Sequence, residues 1–148
     1  MIEVRDISVH FGGVVALSDI TAAFSKPVSG IIGPNGAGKT TLMNVISGFV
    51  GTKSGHILKD GQDLLALPPH RRAHWGLRRS FQKEEIADDL TVFDNVLVQI
   101  DHAPHGAAQK HEEVRRMLEY VGMSDRAGKN GADLNSYERR LTDVAKCL

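Results

Sequence analysis

The sequence predicts an α/β fold: strands and a glycine-rich loop first, then a run of helices. Three observations predict it. Apolar residues alternate with polar ones from Ile2 to Phe24. The stretch GIIGPNGAGKTTLMNVISGF, Gly30 to Phe49, puts a glycine loop between a short apolar run and a helical repeat. Beyond Thr91 the apolar residues recur at three- and four-residue spacing.

The elements follow in chain order. Ile2 and Val4 alternate in one register and Ile7, Val9 and Phe11 in the next, which predicts a strand with a bulge or break near Asp6. Gly12-Gly13 is a turn. Val15, Leu17, Ile20, Ala22 and Phe24 predict a second strand with one slip. VSGIIG, ending at Gly33, suits a short buried strand. Leu42, Val45, Ile46 and Phe49 form one face of a helix that Gly48 and Gly51 can end. SGHILK reads as a strand, turned at Asp60-Gly61, and Pro68-Pro69 opens a short polar helix toward Trp75. LRRSFQ is expected to be a strand ending at Gln82.

Past that point Thr91, with Asp94 three residues on, is close to a capping box. Val114, Met117, Leu118 and Val121 share a helical face that stops at Gly122, and ERRLTDVAKCL is helical, with Val144, Ala145 and Leu148 on its apolar face. The expected division is a core over residues 1–82 and a helical subdomain over 83–148.

Composition narrows the function. Eighteen basic residues balance eighteen acidic ones, so no global charge draws the chain to nucleic acid or to anionic lipid. The one cysteine, Cys147, leaves no disulfide framework and no thiolate zinc site, which fits a reducing cytosol. No apolar run approaches the ~20 residues that span a bilayer. Seven histidines lack tight ligand spacing; His102, His105 and His111 flank a Pro-Gly loop and are expected to be solvated. The pairs Arg71-Arg72, Arg78-Arg79, Arg115-Arg116 and Arg139-Arg140 are expected on solvated, charge-paired helix faces rather than on nucleic acid.

Gly33, Gly38, Lys39 and Thr40 fit G-x-x-x-x-G-K-[ST] between a predicted strand and a predicted helix, the context of a phosphate loop. Glycines let successive N–H groups point at phosphate oxygens, and the helix N-terminus adds its positive end. Lys39 supplies a charge for the outer phosphates and the Thr40 hydroxyl a ligand for Mg²⁺.

The filling GPNGAGKTTL resembles the Walker A loop of ATP-binding cassette (ABC) proteins. Three further stretches resemble the family in order and spacing. HFGGVVALSDI is similar to the segment whose aromatic, here Phe11, stacks on adenine. GLRRSFQ is similar to the approach to the Q-loop glutamine, here Gln82. SFQKEEIADDLTVFDNVLV is similar to the following stretch in ATPase subunits of branched-chain amino acid importers.

The resemblance implies a P-loop NTPase core with N-terminal antiparallel strands and a helical subdomain. It implies ATP with Mg²⁺, with nucleotide contacts from Phe11, Gly33, Pro34, Asn35, Gly36, Ala37, Gly38, Lys39, Thr40 and Thr41. Thr40 and Gln82 would share the metal ion, and Gln82 would serve catalysis. The implied partners are transmembrane permease subunits and a second ATP-binding subunit, identical or not, with the chain peripheral on the cytoplasmic face of the inner membrane and no nucleic acid.

The sequence departs from that pattern in three places. The SKPVSG turn is short and lacks the common Gly-Glu. Leu134, Asn135, Ser136, Tyr137 and Glu138 occupy the signature segment without its glycines, and Tyr137 would add bulk where backbone approaches phosphate. The Walker B strand with its Asp-Glu and the switch histidine have no counterpart up to Leu148, so the fold is expected to stop before that strand. Two functions stay open: the N-terminal part of an importer ATPase, whose parent couples ATP to transport, and a nucleotide-binding module or truncated subunit without turnover.

Overall fold

The structure is a computed structural model that describes all of residues 1–148. The chain forms two compact units, Met1–Leu77 and Arg78–Leu148.

The first unit is built on a four-stranded sheet of order β2-β1-β3-β4. Its strands are β1 (Ile2–Phe11), β2 (Val14–Phe24), β3 (Ser54–Lys59) and β4 (Gln62–Asp63), and every pairing is antiparallel. The helices α1 (Lys39–Ser47) and α2 (Pro69–His74) complete it. The tight turns follow from backbone freedom: Asp60 and Gly61 both have positive φ (51° and 84°), which suits a two-residue hairpin turn between Lys59 and Gln62.

The slip near Asp6 is a bulge. Between Val4↔Ala22 and Ile7↔Ile20, β1 advances three residues against two of β2. Between Ile7↔Ile20 and Val9↔Leu17 the excess passes to β2, near Asp19. Asp6 (φ 50°) and Asp19 (φ 48°) take left-handed conformations, which aspartate tolerates because its short carboxylate bonds locally. Each is clamped from the opposite strand. The Asp6 N–H donates to Thr21 Oγ1 at 3.0 Å and Thr21 Oγ1 donates to Asp6 Oδ1 at 3.0 Å. The Asp19 N–H donates to Ser8 Oγ at 3.0 Å and Ser8 Oγ donates to Asp19 Oδ1 at 3.1 Å. The extra residue lets both Val4 and Ile7 face inward, where they join Val9, Leu17, Leu42, Val45, Ile46, Ile57 and Leu64 in one core.

Two expected strands are absent. Val28–Gly33 and Leu77–Gln82 pair with no strand of the sheet, and Val28 and Ile32 are 89% and 98% exposed. A strand is a pairing, so an apolar run with no neighbour forms no ladder. α1 ends at Ser47, capped by Gly48 at φ 85° as its glycine suggested, and Phe49 falls two residues outside the helix.

The second unit packs α3 (Val92–Ile100), α4 (Ala107–Tyr120) and α5 (Ser136–Ala145) around Ile86, Val92, Val96, Ile100, Val114, Leu118, Met123, Leu134 and Ala145. Thr91 caps α3 by accepting the Asp94 N–H at 3.0 Å, as its spacing predicted. Buried Asn95 holds the chain leading into that helix, accepting from the Ala87 N–H at 2.8 Å and donating to the Ala87 carbonyl at 3.0 Å. α5 turns a different face inward from the one expected. Thr142, Asp143 and Ala145 are buried, whereas Val144 and Leu148 are exposed.

Gly55 tests the bulge. It has φ 92°, and a Cβ there would lie 2.3 Å from the Arg5 carbonyl oxygen and 2.5 Å from that of Asp6. Gly55→Ala is expected to destabilise the unit by about 2–4 kcal/mol, combining left-handed strain with overpacking. Gly51→Ala, which meets open space at ordinary φ, should stay within about 0.5 kcal/mol of wild type. Urea midpoints of the two variants check this.

Candidate functional site

The glycine loop lies where β2 meets α1. Gly36 and Gly38 have φ 81° and 82°, and the Ala37 N–H closes a turn on the Pro34 carbonyl at 3.3 Å. A Cβ on Gly38 would lie 2.5 Å from Leu17 Cδ2 and 2.8 Å from the Ala16 carbonyl oxygen, so only glycine permits both the turn and the approach to β2. The exposed turn Pro34–Ala37 leads directly into α1. That helix has neither a side-chain cap nor an acidic residue in its first turn, so its leading N–H groups are available to an anion. Lys39 folds back over the loop, its Nζ donating to the Gly33 carbonyl at 2.8 Å and to that of Pro34 at 2.6 Å. Leu42, Val45 and Ile46 bury one side of the helix and leave Thr40 on the exposed side. A free helix N-terminus, two left-handed glycines and a cation are a donor set that fits a polyphosphate.

The other end of α1 is held by an arginine. Arg72 is 4% exposed; its Nη1 donates to the Val45 and Ile46 carbonyls at 2.7 and 2.8 Å and its Nε to the Leu67 carbonyl at 2.8 Å. Burial pushes this guanidinium below its ordinary pKa, and the charge of Asp63 opposes the shift. The sequence placed Arg72 on a solvated face. The available signal was its position three residues before Trp75, on the side of α2 that packs inward.

Phe11 stands at the end of β1, paired with Val14, and is 51% exposed. Val14 and Val15 are exposed beside it. From Val14, β2 runs to Leu17, against which Gly38 packs, about 10 Å along the strand. An open aromatic-aliphatic surface and the glycine loop thus share one strand. Phe11, Gly33, Pro34, Asn35, Gly36, Ala37, Gly38, Lys39, Thr40 and Thr41 all belong to the first unit.

Gln82 and the signature-like residues belong to the second unit. Gln82 is exposed, at a bend, and its carbonyl accepts from Arg140 Nη2 at 2.9 Å. Leu134 is buried. Asn135 and Glu138 form a complete capping box: Asn135 Oδ1 accepts the Glu138 N–H at 2.9 Å, and Glu138 Oε2 accepts the Asn135 N–H at 3.0 Å. Glu138 also bonds Lys129 at 2.8 Å and Arg126 at 3.3 Å, and the hydrogen bonds from Lys129 and from the Asn135 N–H hold its carboxyl below its ordinary pKa. Ser136 is exposed and the Tyr137 side chain, 72% exposed, stands in solvent. Arg139 and Arg140 make the expected charge pairs, with Asp88 at 2.9 Å and with Glu84 at 2.7 Å, and in addition grip main-chain carbonyls. The histidines do not converge: His105 pairs with Glu113 at 3.1 Å and His111 meets the Phe93 ring edge-on at 5.3 Å.

Comparison with known proteins shows the family. The ABC transporter family profile matches residues 21–148. The high-affinity branched-chain amino acid transport ATP-binding protein BraF of Pseudomonas aeruginosa is 29% identical over 164 residues, covering 100% of this chain and 64% of that protein. The lipopolysaccharide export system ATP-binding protein LptB of Acidithiobacillus ferridurans is 32% identical over 145 residues, covering 98% of this chain and 55% of that protein. Among solved structures, the ADP conformation of an ATP-binding cassette of an ABC transporter superposes with a TM-score of 0.84 at 26% identity, covering 99% of this chain and 63% of that one. The chain thus spans less than two thirds of the length of these relatives.

The capping box of α5 gives a direct test. Asn135→Ala is expected to lower stability by about 1 kcal/mol through loss of the cap, whereas Asn135→Ser, which caps as well, should stay within a few tenths. Chemical denaturation followed by far-UV circular dichroism separates the two outcomes.

Proposed function

The chain belongs to the ABC transporter family, and we propose that it is the nucleotide-holding part of a transporter's ATP-binding subunit. The observation that carries this reading is the uncapped N-terminus of α1, set behind Gly36 and Gly38 and covered by Lys39. Phosphate oxygens would take the leading N–H groups of α1 and draw Lys39 Nζ away from the Gly33 and Pro34 carbonyls. Phe11, exposed at the far end of β1, would receive the base on its ring face. The Thr40 hydroxyl would ligate Mg²⁺, which would neutralise charge on the bound phosphates.

The likeness to BraF favours an importer, with branched-chain amino acids as cargo, although LptB serves lipopolysaccharide export. The partners would then be transmembrane permease subunits and a second ATP-binding subunit. No helix of the chain is long and apolar enough to cross a membrane, so attachment to the cytoplasmic face would run through the permease. The signature-like segment supports a second reading, a subunit that holds nucleotide without closing on a partner. Asn135 and Glu138 already satisfy each other at the head of α5, and Glu138 adds negative charge where a partner's phosphate would arrive. In a longer, hydrolysis-blocked form carrying this segment, Asn135→Ser, Ser136→Gly and Tyr137→Gly together should increase ATP-dependent dimerisation in sedimentation velocity. Equal dimerisation of the unaltered form would exclude this second reading.

Calorimetry tests the main reading. Lys39→Ala removes charge-assisted hydrogen bonds worth ~1.5–3 kcal/mol and should weaken Mg-ATP about tenfold to a hundredfold. Phe11→Ala should weaken ATP and GTP alike, by ~1–3 kcal/mol if base stacking here resembles that in nucleic-acid sites. Wild-type affinity in the folded Lys39→Ala protein would overturn the assignment of the loop.

A further inference from the structure

Arg72 acts on α1 from the end opposite the glycine loop. It stands on α2, buried, and its guanidinium reaches back along the chain by 27 and 26 residues, Nη1 donating to the Val45 carbonyl at 2.7 Å and to that of Ile46 at 2.8 Å. Its Nε donates to the Leu67 carbonyl at 2.8 Å, just ahead of Pro68 and Pro69, which open α2. One side chain thus ties the last turn of α1 to the start of α2. The fit is close. Gly48 caps α1 beside it, and a Cβ there would lie 3.0 Å from Arg72 Cζ and 3.1 Å from Nε. A guanidinium so buried is held by its acceptors rather than by water.

The consequence reaches the other end of the helix. α1 has nine residues, so it spans about 13 Å. Its peptide dipoles and leading N–H groups point along its axis. Gly38, packed against Leu17 and the Ala16 carbonyl, holds the first turn. No side chain caps that turn, and the Lys39 ammonium bonds to carbonyls of the loop itself. These contacts make a pivot, and a second fixed point keeps the axis from tilting about it. The apolar contacts of Leu42, Val45 and Ile46 contribute, but they are non-directional. A planar guanidinium that meets three carbonyls at 2.7–2.8 Å fixes orientation as well as distance.

We propose that Arg72 is a positioning residue for the phosphates of bound nucleotide: by holding the last turn of α1 it keeps the helix axis, and with it the leading N–H groups, aimed at the anion. The inference rests on the reading of the glycine loop as the phosphate site, and all the residues it uses lie within Met1–Leu77. Arg72 does not touch the nucleotide; its effect passes through α1. Lysine in its place keeps a positive charge but lacks the rigid fork, so charge and orientation can be separated.

Calorimetry with inorganic tripolyphosphate, which has no base, isolates the loop from Phe11. Affinity is measured for the 148-residue chain as wild type, Arg72→Met, Arg72→Lys, Lys39→Ala and Gly55→Ala, under conditions where urea titration shows each protein folded. Gly55→Ala is the control for stability, since it strains the unit at the Arg5 and Asp6 carbonyls. The expected result is a roughly tenfold weaker affinity in Arg72→Met, equivalent to one charge-assisted hydrogen bond to phosphate. Arg72→Lys should lose nearly as much, while Gly55→Ala binds as wild type despite its lower urea midpoint. In ¹⁵N-labelled protein the amide resonances of Gly38 to Thr41 should move in Arg72→Lys. Wild-type affinity in a folded Arg72 variant overturns the proposal, as do an equal loss in Gly55→Ala or unmoved amide resonances in Arg72→Lys. Should Arg72→Met fail to fold, Arg72→Lys carries the test. If Lys39→Ala binds tripolyphosphate as tightly as wild type, the loop is not the phosphate site and both readings fall. A loss in Lys39→Ala with none in the Arg72 variants removes the positioning role alone.

Discussion

The first unit depends on the approach of one backbone atom to one strand. Gly38 lies so close to β2 that any Cβ would collide with Leu17 and with the Ala16 carbonyl. That contact fixes where α1 begins and in which direction its first N–H groups point. Leu42, Val45 and Ile46 then settle into the core, and the far end of the helix meets buried Arg72. The two ends are treated oppositely. The C-terminal carbonyls, which carry the negative end of the helix dipole, are satisfied inside the protein by a cation. The N-terminal N–H groups have no internal partner from a cap and are left to a ligand. Burying a guanidinium without a hydrogen-bonded carboxylate is costly, and here three main-chain carbonyls offset that cost.

What could be read from the sequence was what local geometry dictates. The loop was legible because left-handed backbone at Gly36 and Gly38 demands glycine. The bulge was legible because an inserted residue shifts the alternation, and Val4 and Ile7 cannot otherwise share a face. The Thr91 cap and the Asp60-Gly61 turn were legible for the same kind of reason. Strands over Val28–Gly33 and Leu77–Gln82 were misread because pairing is not a local property. Apolarity says that a segment wants neighbours, and the sheet of this chain does not provide them.

The arginines were misread for a complementary reason. Composition treats a charged side chain as a surface feature, and for Arg115, which pairs with Glu112 at 3.3 Å in the open, that is correct. Arg72, Arg139 and Arg140 differ in also taking main-chain carbonyls as acceptors, which tertiary structure sets. No carboxylate pairs with Arg72, whereas Arg139 also meets Asp88 and Arg140 also meets Glu84 and Asp143. The same holds for α5, whose buried face carries Thr142 and Asp143 rather than Val144 and Leu148. Thr142 can be buried because its hydroxyl donates back to the Glu138 carbonyl at 2.8 Å, and Asp143 because Arg140 stands beside it.

The N-termini of α1 and α5 offer two solutions to one problem, the orphan donors of a first helical turn. Ahead of α1 the sequence supplies glycine and no acid, so the donors and the positive end of the dipole remain for an external anion. Ahead of α5 it supplies Asn135 and Glu138, which satisfy the donors internally and place a carboxylate at the same positive end. Lys129 and Arg126 then neutralise that carboxylate. A phosphate arriving at α5 would have to displace an intramolecular acceptor already held by two cations, whereas one arriving at α1 would displace only the lysine's bonds to two neutral carbonyls. The difference lies in a few side chains, and it would direct phosphate to the glycine loop.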